Sequence, residues 1–432
     1  MLPLSEPRHK DTFWRPALHP FRISVCLTDA MTCRGGYKQM RSMVLALGLL
    51  LAGVAAASPA TKEPAVEAAL ATAAELWTDG DYAQAAATLE PFESQALPEV
   101  DAMLASILVS QAVDQVAVRD FATLDLSRAI ALAERAAAAG SPMALNELHL
   151  VHLNGWGVPV DLAKARDYLE RAVAAGDEGA RTNYAANLFE GSALLPQDRD
   201  RACELFSEIL DVVDPQPYVA YYLGLARIEG DCGYSADPAQ GIELVRLAAD
   251  QGLRGAEFQM GLAYEDGIGV ERDLPQALDW FQRAADQGVA PAQWRIGMSF
   301  VRGEGRAVDP ARAVEWFSRA AASGHVDGLT SLAVMYATGS GVEKDGAKAL
   351  SLYRQAVEAG GVHAHRNLAG MYLMGDGVEP DPVQAWLHYE MGLALGNKEE
   401  GWLRQAIESQ LSPAALEGAQ AVLADWKASR TR

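Results

Sequence analysis

Residues 254–289, RGAEFQMGLAYEDGIGVERDLPQALDWFQRAADQGV, decide the fold of this chain. Ala256, Met260, Gly261 and Tyr264 recur at helical spacing, and so do Ala277, Trp280, Phe281, Ala284 and Ala285. Each set forms one apolar face of a helix, and two such faces joined by a short turn close on each other. Gly267-Ile268-Gly269-Val270 supplies the turn. Asp273 is the expected N-cap of the second helix, where its carboxylate accepts from a free backbone N–H of the first turn. The stretch therefore predicts one helical hairpin.

The hairpin repeats. Gly267/Gly269, Gly303/Gly305, Gly339/Gly341 and Gly375/Gly377 follow at 36-residue steps, and Gly252, Gly288, Gly324, Gly360 and Gly396 keep the same step. Two glycine series in phase predict stacked two-helix units, with one turn inside each hairpin and another between hairpins. Asp309-Pro310 and Asp381-Pro382 put proline at the first helical position, where its missing N–H costs nothing. Clear copies cover 254–398 and another good one covers 142–177. Degenerate copies fill 178–216 and 217–253, where Gly176 to Gly252 exceeds two repeats by four residues. The turns near Pro196, Pro215, Pro217 and Asp231 are expected to carry the insertions.

The pattern A-x-x-x-L-G-x-x-Y-x-x-G-x-G-V-x-x-D-x-x-x-A-x-x-W-[FY]-x-x-A-A-x-x-G resembles the Sel1-like repeat, a relative of the tetratricopeptide repeat. The resemblance implies an all-α, right-handed superhelical solenoid, here of about nine to ten hairpins with a C-terminal capping helix. Its expected parts are tetratricopeptide-like hairpins within 58–140, Sel1-like repeats over 141–398 and capping helices over 399–432. Ser412-Pro413 opens the last helix, with Leu416, Val422, Leu423 and Trp426 as candidate cap residues.

Residues 1–57 differ in kind. Residues 1–39 form an upstream extension without helical period, consistent with a misassigned start, and 40–57 read as a signal peptide. Lys38 and Arg41 precede an apolar run of 14 residues, 44–57, that ends in Ala55-Ala-Ala57. A spanning helix needs about 20 residues, so the run predicts secretion to the periplasm or outside, cleavage before Ser58, and no membrane span in the mature chain. The whole chain carries 36 Lys and Arg against 57 Asp and Glu, a net charge of -21. Such a surface repels nucleic-acid phosphates and anionic headgroups.

Each Gly-x-Gly lacks the preceding strand and following lysine of a phosphate loop and reads as a turn. His149 and His152, with Glu147 nearby, have metal-like helical spacing. Aligned on Gly267, however, His152 occupies the Tyr264 position and His149 the Gly261 position, inside the hairpin, so packed histidines are expected. His363, His365 and His388 form no ligand set. With no nucleophile in a recognisable setting, the reading is non-enzymatic, with no catalytic residue, cofactor or metal. Cys203 and Cys232 are the two cysteines beyond the signal, and stacking of their repeats makes them a candidate disulfide.

The resemblance implies that first helices line a concave face where protein partners bind. The groove positions are then Tyr221, Leu225 and Ile228; Phe258, Leu262 and Glu265; Trp294, Met298 and Val301; and Thr330, Val334 and Ala337. Tyr221, Phe258 and Trp294 form an aromatic stripe suited to a protein or peptide segment, with packing between repeats as the alternative use of the same side chains. The expected function is an exported scaffold or adaptor that organises or regulates an envelope complex. The alternatives are a cell-wall or polysaccharide binding module and a weak β-lactam-interacting hydrolase. Cysteine-rich members of the family suggest the last, but this chain lacks their cysteine pair in every repeat.

Overall fold

The computed structural model describes residues 64–115, 124–210 and 217–430, so the upstream extension and the signal run lie outside the described residues. Within them the chain forms 20 α-helices, one short 3₁₀ segment and no β-strand, arranged as the paired hairpins of a repeat solenoid. Contacts divide it into two units, one through Leu205 and one from Phe206.

The first unit opens with α1 (Pro64–Asp79) and α2 (Tyr82–Leu89), followed by α3 (Pro98–Gln115) and α4 (Ser127–Ala138). Then come α5 (Pro142–Asn154) with α6 (Leu162–Ala174), and α7 (Glu178–Glu190), which leads into α8 (Arg199–Leu210). The unit boundary falls within α8. Val109, Val113, Leu126, Ala129, Leu150, Val151 and Trp156 pack as one core that joins successive hairpins.

The second unit runs through α9 (Pro217–Glu229), α10 (Pro238–Asp250), α11 (Arg254–Asp266), α12 (Leu274–Asp286), α13 (Ala290–Arg302) and α14 (Pro310–Ala322). It continues through α15 (Val326–Thr338), α16 (Gly346–Glu358), α17 (Val362–Met374) and α18 (Pro382–Ala394). The described pairs make nine hairpins. Each helix of the regular repeats has 13 residues, and the hairpins close identically. The Asp273 side chain accepts from Gln276 N, while its own N–H donates to Tyr264 O at 2.9 Å. Asp309, Asp345 and Asp381 repeat both bonds.

Side-chain volumes are matched across each hairpin. Gly261 and Gly297 lie directly under the rings of Phe281 and Phe317, which are fully buried. At equivalent positions Ala333 goes with Tyr353 and Ala369 with Tyr389, while His149 goes with the smaller Leu169. The second glycine of each turn has another task. A Cβ on Gly269 would strike the Pro238 carbonyl, and one on Gly341 or Gly377 would strike the start of the second helix one hairpin back. The Gly-x-Gly turns are thus seats for stacking, as expected of turns and unlike phosphate loops.

After α18 come α19 (Gly401–Glu408) and α20 (Pro413–Ser429), both packed on α18. Leu403, Ile407, Ala419 and Leu423 are buried, and Glu400 N donates to the Tyr389 hydroxyl, which donates back to Glu400 O. Of the expected cap residues, Leu423 is inside, Leu416 and Trp426 are half-buried, and Val422 is 50% exposed. Val422 precedes the buried Leu423 and follows Ala419 by three, just off the helix face turned to α18.

Candidate partner-binding cleft

The stripe positions do not share one environment. Tyr221 and Leu225 are only 5% and 6% exposed. Tyr221 meets Tyr222 edge to face, and Tyr222 in turn stacks on Phe206 at 5.1 Å, so this end of the stripe is core. The expected groove contacts at Tyr221 and Leu225 are therefore withdrawn. Phe258, Leu262, Trp294, Met298 and Val301 remain half-buried. Phe258 leans on Phe281 at 5.6 Å, its ring completing the hairpin closure beneath it.

Trp294 and Met298 on α13 line a narrow cleft with Leu274 and Leu278 of α12 and Glu265 of α11. The Trp294 indole Nε1 donates to Ser331 Oγ on α15 at 3.0 Å, which fixes the ring across two repeats. Arg295 lies 5.4 Å from the Trp294 ring centre and pairs with Glu265 of the preceding repeat at 2.8 Å. Burial raises the Glu265 carboxyl above its usual range, and the Arg295 charge opposes that shift. Arg302 and Glu304 extend the rim. The cleft is thus an apolar strip edged by both signs of charge. Below it, Glu257 is buried and holds Arg283 Nε at 2.9 Å and Gln287 Nε2 at 2.6 Å. Arg283 and Gln287 also donate to the Ala249 and Gly252 carbonyls, clamping the inter-hairpin turn.

The histidines are packed. His149 is fully buried and its Nδ1–H donates to Ala165 O at 2.9 Å, and burial lowers its pKa to about 4. His152 stacks on Tyr168 at 5.6 Å. Glu147 accepts from Ser106 Oγ at 2.8 Å, and burial raises its carboxyl to about 7. The sequence did not foresee that His365 and His388 face each other across α17 and α18, Nδ1 to Nδ1 at 3.1 Å. One Nδ1 must donate and the other accept, and burial lowers the His388 pKa to about 4. Among the described residues no group of three or more His, Cys, Asp or Glu is arranged around a metal position. Cys203 and Cys232 are each disulfide-bonded, and Cys232 takes a left-handed φ of 60° in its turn. No helix among the described residues is long and apolar enough to cross a membrane.

Hairpins of constant length, closed by one aspartate and stacked through one glycine, define a helical repeat scaffold. The chain belongs to the Sel1 repeat family: the family model matches residues 121–141, 142–177, 180–208, 217–253, 255–289, 290–325, 326–361 and 362–397, more than half of the chain. The first match reaches upstream into the segment read as tetratricopeptide-like. Among solved structures the chain is similar to a Sel1 repeat protein from Oxalobacter formigenes, at 26% identity over 56% of this chain and 95% of that one, TM-score 0.46. It is also similar to c5321, a protective antigen of uropathogenic Escherichia coli with an SLR fold, at 21% identity over 81% and 90%, TM-score 0.41. Comparison with the curated proteins gives no match. Sel1 repeat proteins generally mediate protein–protein interaction, and their scaffold is typically non-catalytic.

Proposed function

We propose that the chain is an exported, non-catalytic adaptor that holds an extended or helical segment of a partner protein along its first helices. On this reading it organises or regulates a complex in the periplasm or at the cell surface. The observation that carries the binding part is the Trp294–Met298 cleft. Its apolar floor is left half-covered while the hairpin-closing rings of Phe281, Phe317, Tyr353 and Tyr389 are buried, and the ion pair of Arg295 and Glu265 edges it. Such a strip suits a segment with one apolar anchor flanked by charged side chains, and centrally placed aromatics dominate interfaces of this kind. Export is supported by the apolar run over 44–57 and by the oxidised state of Cys203 and Cys232, which fits a compartment outside the cytosol.

A photo-crosslinker placed at Met298 and, as a control, at Val422 tests the reading in intact cells. The expected result is one discrete protein adduct from position 298 and none from 422. The same adducts from both positions would remove the cleft from the proposal. Cosedimentation with purified cell wall that disappears in Trp294→Ala would assign the cleft to glycans instead.

A further inference from the structure

One regular repeat departs from its siblings at a single turn. The residue after the second glycine is Val158, Val270, Val342 or Val378 in four repeats, all half-buried, but Arg306 in the fifth. Arg306 is also partly buried, yet among the described residues it makes no ion pair and no side-chain hydrogen bond. A partly covered guanidinium with no protein partner gains little from its place in the fold, and valine serves the same turn elsewhere. Burial and the nearby Arg312 charge push the Arg306 guanidinium below its ordinary pKa, opposed in part by Asp279.

The surroundings form a small cleft lined by Pro275, Leu278, Asp279, Phe300, Arg306 and Arg312. Arg306 and Arg312 stand over the same Phe300 ring, their Cζ atoms 4.5 Å and 5.7 Å from its centre. Stacking on a ring occupies a guanidinium face and leaves its N–H edge free for a planar acceptor. Arg312's ion pair among the described residues is a long one, Nε to Asp309 Oδ2 at 3.5 Å, between largely exposed groups. At the Phe300 position three other repeats carry Tyr264, Tyr336 and Tyr372, whose hydroxyls accept from Arg246, Lys348 and Arg354. Phe300 offers no such acceptor. In a chain of net charge -21, two arginines therefore converge on one cleft that holds a single carboxylate.

We propose that Arg306 and Arg312, over the Phe300 ring, form a binding site for a small oxyanion, a carboxylate or a phosphate. Arg306 supplies the fork of donors from the turn and Arg312 the second from the first turn of α14, an arrangement matched to bidentate acceptors. The site adjoins the Trp294 cleft through Leu278, which lines both, but does not depend on the partner reading.

The repeat provides its own controls. Arg306→Val installs the residue of the four sibling turns, and Arg312→Gln installs that of Gln276 and Gln384, so both variants should fold. Thermal melts of the full chain in inorganic phosphate and in succinate, at matched ionic strength against sodium chloride, give the test. The expected result is a concentration-dependent rise in Tm for the wild type with at least one anion, lost in both variants. Arg306→Val should also melt no lower than the wild type in chloride. A response to phosphate alone or to succinate alone identifies the ligand chemistry. If the wild type rises no more than Arg306→Val with either anion, Arg306 only shields Phe300 and the site is refuted.

Discussion

The Phe281 ring lies directly on the bare Cα of Gly261, so a methyl group at 261 would overlap the ring edge. Alanine is the better helix former by about 1 kcal/mol. Gly261→Ala should nevertheless destabilise the chain by about 1–3 kcal/mol, because the overlap forces a buried aromatic off its rotamer. Urea unfolding of Gly261→Ala, Phe281→Leu and the double variant measures this. The double variant should recover part of the loss, as the native His149 and Leu169 combination already implies. An alanine variant as stable as the wild type would show that the ring shifts freely.

Phe281→Ala and Trp294→Ala should separate folding from binding. Phe281 is closed in on all sides, and its removal should cost about 3–5 kcal/mol through the cavity left behind. Trp294 is half-buried with one hydrogen bond to Ser331, so it should cost less in a melt but more in partner affinity, about 2 kcal/mol or more. Equal losses of Tm would place Trp294 in the inter-repeat core.

Glu147 gives the stability a component that falls as pH rises through the neutral range. Its carboxyl is raised from 4.5 to about 7 by burial, so the folded state holds a proton that the unfolded chain has already released. That contribution is full below pH 4.5 and gone above pH 7. Asp177, raised by burial to about 6, acts in the same direction. His149, lowered to about 4, acts oppositely: its contribution is present above pH 6.5 and lost as pH falls through 4. Glu147→Gln keeps an acceptor for Ser106 and should flatten the decline between pH 4.5 and 7, a gain on the order of 3 kcal/mol at pH 8 by linkage. Denaturant midpoints across this range check it, and an unchanged slope would contradict it.

Thiol titration of the unfolded, unreduced mature protein should find no free cysteine, and peptide mapping should recover one peptide joining Cys203 to Cys232. Closing that loop stabilises by roughly 3–4 kcal/mol in the chain-entropy model, so reductant should lower Tm. Two free thiols in protein recovered from the cell envelope would exclude the bridge.

Edman sequencing of the native protein should begin at Ser58 if the run over 44–57 is cleaved after Ala57. A chain that retains residue 40 or earlier would count against export by this route.

The fold was legible because glycine, aspartate and the small-to-aromatic pairs recur at one period, and each is tied to a backbone bond or a volume match. Asp273, Gly269 and Phe281 could be assigned before any coordinate. The groove was only half legible. The same spacing places Tyr221 and Trp294 in register, but Tyr222 and Phe206 enclose Tyr221, and only contacts beyond the repeat reveal this. The His365–His388 pairing crosses two helices whose relative rotation the sequence does not state. Arg306 breaks the Gly-x-Gly-Val pattern, a departure not singled out from the sequence alone. What gives it meaning, the shared ring of Phe300 and the absence of an ion pair, needed the structure.

The glycine seats also bear on how such a chain can change in length. Gly269 rests on the hairpin before it, and Gly341 and Gly377 rest likewise on theirs, so these three junctions in the second unit are made by the same residue against the same helix start. Duplicating or deleting 36 residues, wherever the cut falls within a regular hairpin, rejoins a seat to its matching surface. Unequal crossing-over between copies would therefore yield folded arrays far more often than chance joining would. The clefts that the array carries could be multiplied or lost one repeat at a time.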